Sequence, residues 1–176
     1  VGSSALAAVG ACAALTNVFI CVALGAGVGA GVLVSRYFGA RDYSKMKTIV
    51  STSLLSFLIL SIFLGIFGFG FSNIMMSALQ TPADIMDEAV LYLRVYFVGF
   101  PFLFMYNILS TMFTSIGESK IPLGLLIFSS ILNIIIDLWM VAGLGLGVFG
   151  AALATLIAQG ISAVFSLLDR KSTRLN

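Results

Sequence analysis

Charge is what this sequence has least of. Of 176 residues, nine are Lys or Arg and seven are Asp or Glu, 9 % in all, whereas 60 % are hydrophobic. Soluble domains carry about 25 % charged and about 45–50 % apolar residues. The mean hydropathy is +1.15. A soluble fold near this size still exposes about a third of its unfolded surface, so it could not hide this much apolar area. That excludes a soluble enzyme, a disordered chain and a nucleic-acid-binding domain. The net charge of +2 is too small and too local to imply an electrostatic partner. An integral membrane protein remains.

Histidine is absent altogether. His-based catalysis, His metal sites and His pH switches are therefore excluded. The two cysteines, Cys12 and Cys21, stand nine residues apart in one apolar run. On a helix that spacing puts them on opposite faces, about 13 Å apart along the axis, so they cannot bridge. No Walker A sequence occurs. Gly145-x-Gly147-x-x-Gly150, with Asp169 beyond it, matches the spacing of a dinucleotide fingerprint. The context rejects that match: no strand precedes it, and the glycines join two apolar spans.

What is abundant is long apolar runs. A spanning helix needs about 20 such residues, and five are expected, over about residues 9–34, 48–71, 88–115, 122–142 and 148–168. A polar loop with Arg36, Arg41, Asp42, Lys45 and Lys47 follows the first. After the second, Thr81-Pro82 with Asp84, Asp87 and Glu88 reads as a helix start: a cap, a first-turn proline, then acids at the positive end of the dipole. Arg94 is placed to snorkel, and Pro101 should kink the third span. Pro122 opens the fourth. Residues 143–147 form an uncharged connector, and 170–176 are a polar tail, read as a linker or a read-through scar. Basic and non-basic connectors alternate along the chain. By the positive-inside bias, the first and third connectors and the tail are cytoplasmic, and the N-terminal end lies outside.

One in-span residue stands apart. Asp137 follows Pro122 by 15 residues, about 22 Å along a helix, which leaves it within the hydrocarbon. A charge there costs at least about 2.5–3.5 kcal/mol on insertion scales. Such an acid must face the bundle interior or a wet cavity. It is a candidate proton carrier, or a cation ligand when ionised. Ser129, Asn133 and Asp137 recur every four residues and share one helix face. Thr155 and Gln159 repeat that spacing on the next span. Interhelical hydrogen bonding explains Ser129, Thr155 and Gln159 equally well, but glue does not require an acid. Asn17, Asn107, Ser110 and Thr111 are weaker candidates for lining a cavity. Gly25/Gly29 and Gly27/Gly31 form two overlapping GxxxG patterns suited to close helix packing.

Several stretches, in order, resemble the MATE (multidrug and toxic compound extrusion) family. They are residues 5–10, 29–42, Tyr92-Leu93-Arg94 with Gly99-Phe100-Pro101, Leu132–Asp137 and Gly143–Thr155. The resemblance implies an all-α membrane protein whose five transmembrane helices correspond to helices two to six of a twelve-helix, two-lobed transporter. Residues 1–169 would be part of the N-terminal lobe. The first helix and the C-terminal lobe would lie outside this sequence, consistent with the absence of an initiator Met.

The implied activity is secondary antiport, not enzymatic catalysis. Drug-like organic cations or other xenobiotics would leave in exchange for protons or sodium ions, with no cofactor. Asp137, Asn133 and Thr155 match the family's coupling-ion residues, Asp137 being the candidate sodium ligand. Asn17, Asn107, Ser129 and Gln159 are candidate cavity-lining residues. Partners would be small molecules and membrane lipids, without nucleic acid, in an inner (plasma) membrane. Two alternatives stay open. One is a lipid-linked oligosaccharide flippase of the same superfamily, disfavoured because Arg94 is the sole in-span base. The other is a non-transporting scaffold subunit.

Overall fold

The computed structural model describes residues 3–172, and side chains from Leu6 to Asp169. The described residues form five long helices and no strand. They are α1 (Ser3–Gly39), α2 (Tyr43–Ala78), α3 (Met86–Ser115), α4 (Lys120–Asp137) and α5 (Gly147–Ser172). A π-helical segment, Leu138–Gly143, continues α4. All five are long and apolar enough to cross a membrane. The tail residues 173–176 lie outside the described residues.

The helices run well past their apolar cores. α1 has 37 residues and α2 has 36, against the about 20 that span a bilayer. Residues 72–78, beyond the expected end of the second span at 71, continue α2. The expected charged loop after the first span shrinks to residues 40–42, with Arg36, Lys45 and Lys47 on helix ends. Backbone closure explains this economy. Asp42 N–H donates to Tyr37 O and Arg41 N–H to Phe38 O, a Schellman pair that satisfies the last carbonyls of α1. The same pair recurs after α2, from Thr81 to Met76 and Gln80 to Ser77. It recurs after α3, from Glu118 to Phe113 and Gly117 to Thr114. The left-handed residue of each motif is Arg41, Gln80 and Gly117; only the last is the glycine that favours that conformation.

The start of α3 differs from expectation. Thr81 does not cap it. Its hydroxyl instead lies 3.8 Å from the Met76 sulfur, inside the turn that closes α2. The helix begins later, at Met86 after Ile85, with Asp87 and Glu88 in its first turn. The closing turn thus claims the threonine before the helix can use it.

α3 is the central helix, packing against α1, α2 and α5, while α4 rests chiefly on α5. Two devices bring the helices together. Small residues let backbones approach: Gly27 and Gly31 of α1 face Thr111 and Ser115 of α3, and Gly65 and Gly68 of α2 face Phe97. Gly25 and Gly29 face open space, so only one of the two overlapping glycine patterns is a packing seam. Aromatic rings fill the remainder. Phe19 meets Phe97 and Phe100 edge-on at 4.9 and 5.4 Å, and Phe100 meets Phe104 at 4.7 Å, geometries favoured by the ring quadrupole. Arg94 places its guanidinium 5.5 Å from the centre of the Phe69 ring of α2, a cation–π contact that gives the charge a partner within the bundle. Cys12 is buried and Cys21 exposed, the opposite facing their spacing requires.

Candidate functional site: a polar pocket between α4 and α5

The short connector 144–146 folds α5 back along α4, and left-handed glycines at Gly145 and Gly147 allow the reversal. Asn133 of α4 thereby meets Thr155 of α5, and Ser129 meets Ala158 one turn further on. Ser129, Ser130, Asn133, Thr155, Ala158 and Gln159 line an open pocket of about 170 Å³. This is room for a few water molecules or a small hydrated cation, and far below the about 300–1,000 Å³ of a drug-sized site.

Asp137 sits one turn above the pocket. Its Oδ1 is buried without a protein partner. When the Asn133 amide is turned with its nitrogen toward the acid, it donates to Asp137 Oδ2 at 3.3 Å, and its oxygen accepts from Thr155 N at 3.3 Å. In the other orientation the amide nitrogen donates to Thr155 Oγ1 at 3.3 Å. Asn133 can therefore present either a donor or an acceptor to the carboxyl group. Thr155 Oγ1 itself donates to Ala151 O at 3.1 Å, which leaves its lone pairs available to a ligand. Together these side chains offer a carboxylate, an amide oxygen and a hydroxyl oxygen. This is a hard-oxygen set suited to a proton or an alkali cation.

Asp137 also marks a break in helix geometry. The fourth span, expected as one regular helix over 122–142, is α-helical only to Asp137 and π-helical from Leu138 to Gly143. Such wide turns exchange regular i→i−4 bonds for poorer ones and are found frequently at functional sites. The nearest preceding proline and glycine, Pro122 and Gly124, lie more than three turns back, so the local sequence does not announce the change.

The remaining candidates fall elsewhere. Asn17 is exposed on α1. Asn107 donates its amide to Leu103 O at 2.8 Å, within its own helix. Thr111 donates to Asn107 O at 2.9 Å while lying against Gly27 and Gly31. The structure brings none of these three to the pocket.

The MatE family model matches residues 1–139. The chain belongs to the MatE family. It is 30 % identical over 166 residues to the Bacillus subtilis (strain 168) protein named "Probable multidrug resistance protein YpnP", covering 94 % of this chain and 37 % of that protein. It is 34 % identical over 142 residues to the multidrug export protein MepA of Staphylococcus aureus (strain MRSA252), covering 81 % and 32 %. Among solved structures, a MATE transporter in the bent conformation matches with a TM-score of 0.93 at 27 % identity, over 98 % of this chain and 39 % of that one. An inward-facing MATE-family transporter gives 0.90 at 28 % identity, over 94 % and 38 %. The outward-facing conformation gives 0.92 at 27 % identity, over 98 % and 39 %. The chain spans between 32 % and 39 % of the length of these relatives. This MatE chain is an integral protein of the inner (plasma) membrane.

Proposed function

We propose that this MatE chain is the ion-coupling part of a multidrug antiporter, and that Asp137 binds the coupling proton or sodium ion. The observation that carries the reading is the buried, unpartnered Asp137 Oδ1 beside Asn133 and Thr155. An ionisable group held in a span without an ion pair is retained against a substantial insertion cost. Cation binding and release there provide a function for that cost. Asn133 follows the protonation state, donating to the carboxylate and accepting from the acid. Thr155 adds a neutral oxygen.

The pocket is too small for a drug-like molecule, so substrate would bind elsewhere, in the cavity the whole transporter encloses. The segment matches inward- and outward-facing relatives about equally well. That supports a lobe that keeps its overall fold in the two access states, with the ion bound at Asp137 biasing the equilibrium by its unequal affinity for them.

The test is Asp137→Asn in a full-length transporter carrying this segment, reconstituted in vesicles. Efflux of a fluorescent cation driven by a proton or a sodium gradient should fall to the level of empty vesicles. The gradient that drives the unmodified protein identifies the ion. Unchanged gradient-driven efflux in the variant would remove Asp137 from the mechanism.

A further inference from the structure

The polar face of α5 does not end at the pocket. Beyond Thr155 and Gln159 come Ser162, Ser166 and Asp169. The spacings alternate between four and three, so all five residues lie within about 40° of one line along the helix, over about 21 Å. The stripe begins at the pocket beside Asp137. It ends where Arg170, Lys171 and Arg174 assign the chain to the cytoplasm.

Ser162 and Ser166 are the unusual members. They are 1 % and 0 % exposed, and neither hydroxyl has a protein partner. On α2 and α3, several buried or half-buried serine and threonine hydroxyls bond back to their own helix, although the Tyr96 hydroxyl of α3 is also buried without a partner. Ser61 donates to Leu58 O, Ser72 to Gly68 O, Thr111 to Asn107 O and Ser115 to Thr111 O. That bond is the ordinary way to satisfy a helical serine away from water. The chain's own helices enclose the two serines, since α5 packs on α3, α4 and α1. Two adjacent turns of one helix thus turn unsatisfied hydroxyls inward, continuing the line from Gln159. Buried polar groups lacking protein partners are where internal water binds.

We propose that this face of α5 is a hydrated route by which the coupling cation travels between the Asp137 pocket and the cytoplasm, with Ser162 and Ser166 as its narrow middle. The route rests on the reading of Asp137 as the coupling site. The two serines are shut off from the surface in this conformation, so the route conducts when the cytoplasmic ends of α3, α4 and α5 part.

The experiment is cysteine accessibility in a full-length transporter carrying this segment, with Cys12 and Cys21 replaced by Ala and transport retained. Ser162→Cys and Ser166→Cys should react with a small cationic methanethiosulfonate reagent added from the cytoplasmic side. Ala154→Cys, equally buried at 0 % but off the stripe, should not. Equal protection of all three positions would overturn the proposal. As a second measurement, Ser162→Val and Ser166→Val should slow gradient-driven efflux roughly tenfold while leaving binding of the fluorescent cation unchanged, and Ser→Thr at each position should restore it. Full-rate efflux in both valine variants would also overturn it. The two readings fail separately. If Asp137→Asn transports normally while both cysteines react, the coupling site is wrong and the stripe is a water path serving another acid. If Asp137→Asn is inactive and neither cysteine reacts, the coupling site stands and the route is wrong.

Discussion

The two halves of this bundle are held together in different ways. Within this segment, half of the apolar stretch of α3 is buried, against 6 % of that of α4, with α1, α2 and α5 between them at 22–33 %. On the packed side, α1, α2 and α3 meet through glycine seams and a run of interlocked phenylalanines. Several of their serine and threonine hydroxyls, among them Ser61, Ser72, Thr111 and Ser115, are tied into their own helices. On the thin side, α4 touches α5 through Ser129, Asn133 and Thr155, and the acid lies there. The contrast has a physical cause. Helices in lipid gain no hydrophobic drive toward each other, so close packing and a few polar bonds must hold them. A group proposed to exchange an ion would need looser surroundings than a packing seam. On that reading, rigidity and chemistry fall on different helix pairs.

The strongest way to break that contrast is to wedge the packed side. A Cβ on Gly65 would stand 2.9 Å from Phe97 O, a backbone atom that cannot step aside, and one on Gly68 would fall within the Phe97 ring. Gly65→Val should destabilise a full-length transporter carrying this segment by about 1–3 kcal/mol or more, as overpacking does. Gly70→Ala meets nothing within 4 Å and should be neutral or slightly stabilising, since alanine is the better helix former. Thermal unfolding in detergent micelles compares them. Equal melting temperatures would mean that the seam carries no stability.

Next in size is the aromatic fill. Phe100 is fully buried, and Phe100→Ala opens a void of about 100 Å³, worth about 2 kcal/mol at about 24 cal/mol per Å³. The transfer part of the cost usual in soluble proteins is smaller here, because lipid is as apolar as the core. On the thin side Leu126 is 52 % exposed, and Leu126→Ala should stay within about 0.5 kcal/mol. The same melting experiment checks both. A Leu126 variant as damaging as Phe100→Ala would show that α4 is gripped more firmly than its burial indicates.

Much of this arrangement is legible in the residues. The five helices follow from apolar run length. The Asn133–Asp137 spacing and its juxtaposition with Thr155 follow from a short connector between two spans. What sequence leaves open is set by contacts at a distance. Which glycine pair packs depends on the facing of α1 toward α3, so Gly27/Gly31 and Gly25/Gly29 look alike on paper. Arg41 and Gln80 close helices where glycine is the usual signal. Thr81 resembles a cap until the end of α2 claims it. The π turn after Asp137 has no local marker. Ser162 and Ser166, by contrast, lie one step beyond the four-residue spacing that picks out Thr155 and Gln159, and a count that also admits steps of three reaches them. Their burial is what gives that spacing its meaning.

The smallest effect lies at the corner where the packed side meets water. Asp42 accepts the Lys45 backbone N–H at 3.2 Å and pairs with its ammonium at 3.1 Å, capping α2. These bonds, the backbone one foremost, hold the Asp42 carboxyl below the ordinary 3.8. A depressed carboxyl stabilises the folded form fully above the unfolded value and loses that contribution as pH falls through the folded one. The contribution is slight, because the pair is exposed and screened by salt. It should nevertheless be visible locally. Hydrogen-exchange protection of the Lys45 amide, corrected for intrinsic rate, should be greater in the unmodified protein than in Asp42→Asn near neutral pH. The difference should shrink as pH drops below 3.8. Asparagine keeps a cap acceptor and removes only the charge, so a pH-independent difference would mean that the charge is not what steadies this corner. A difference that vanishes in acid would set the electrostatic share of the packed side's rigidity at one exposed turn, leaving the rest to the glycine seams and the rings.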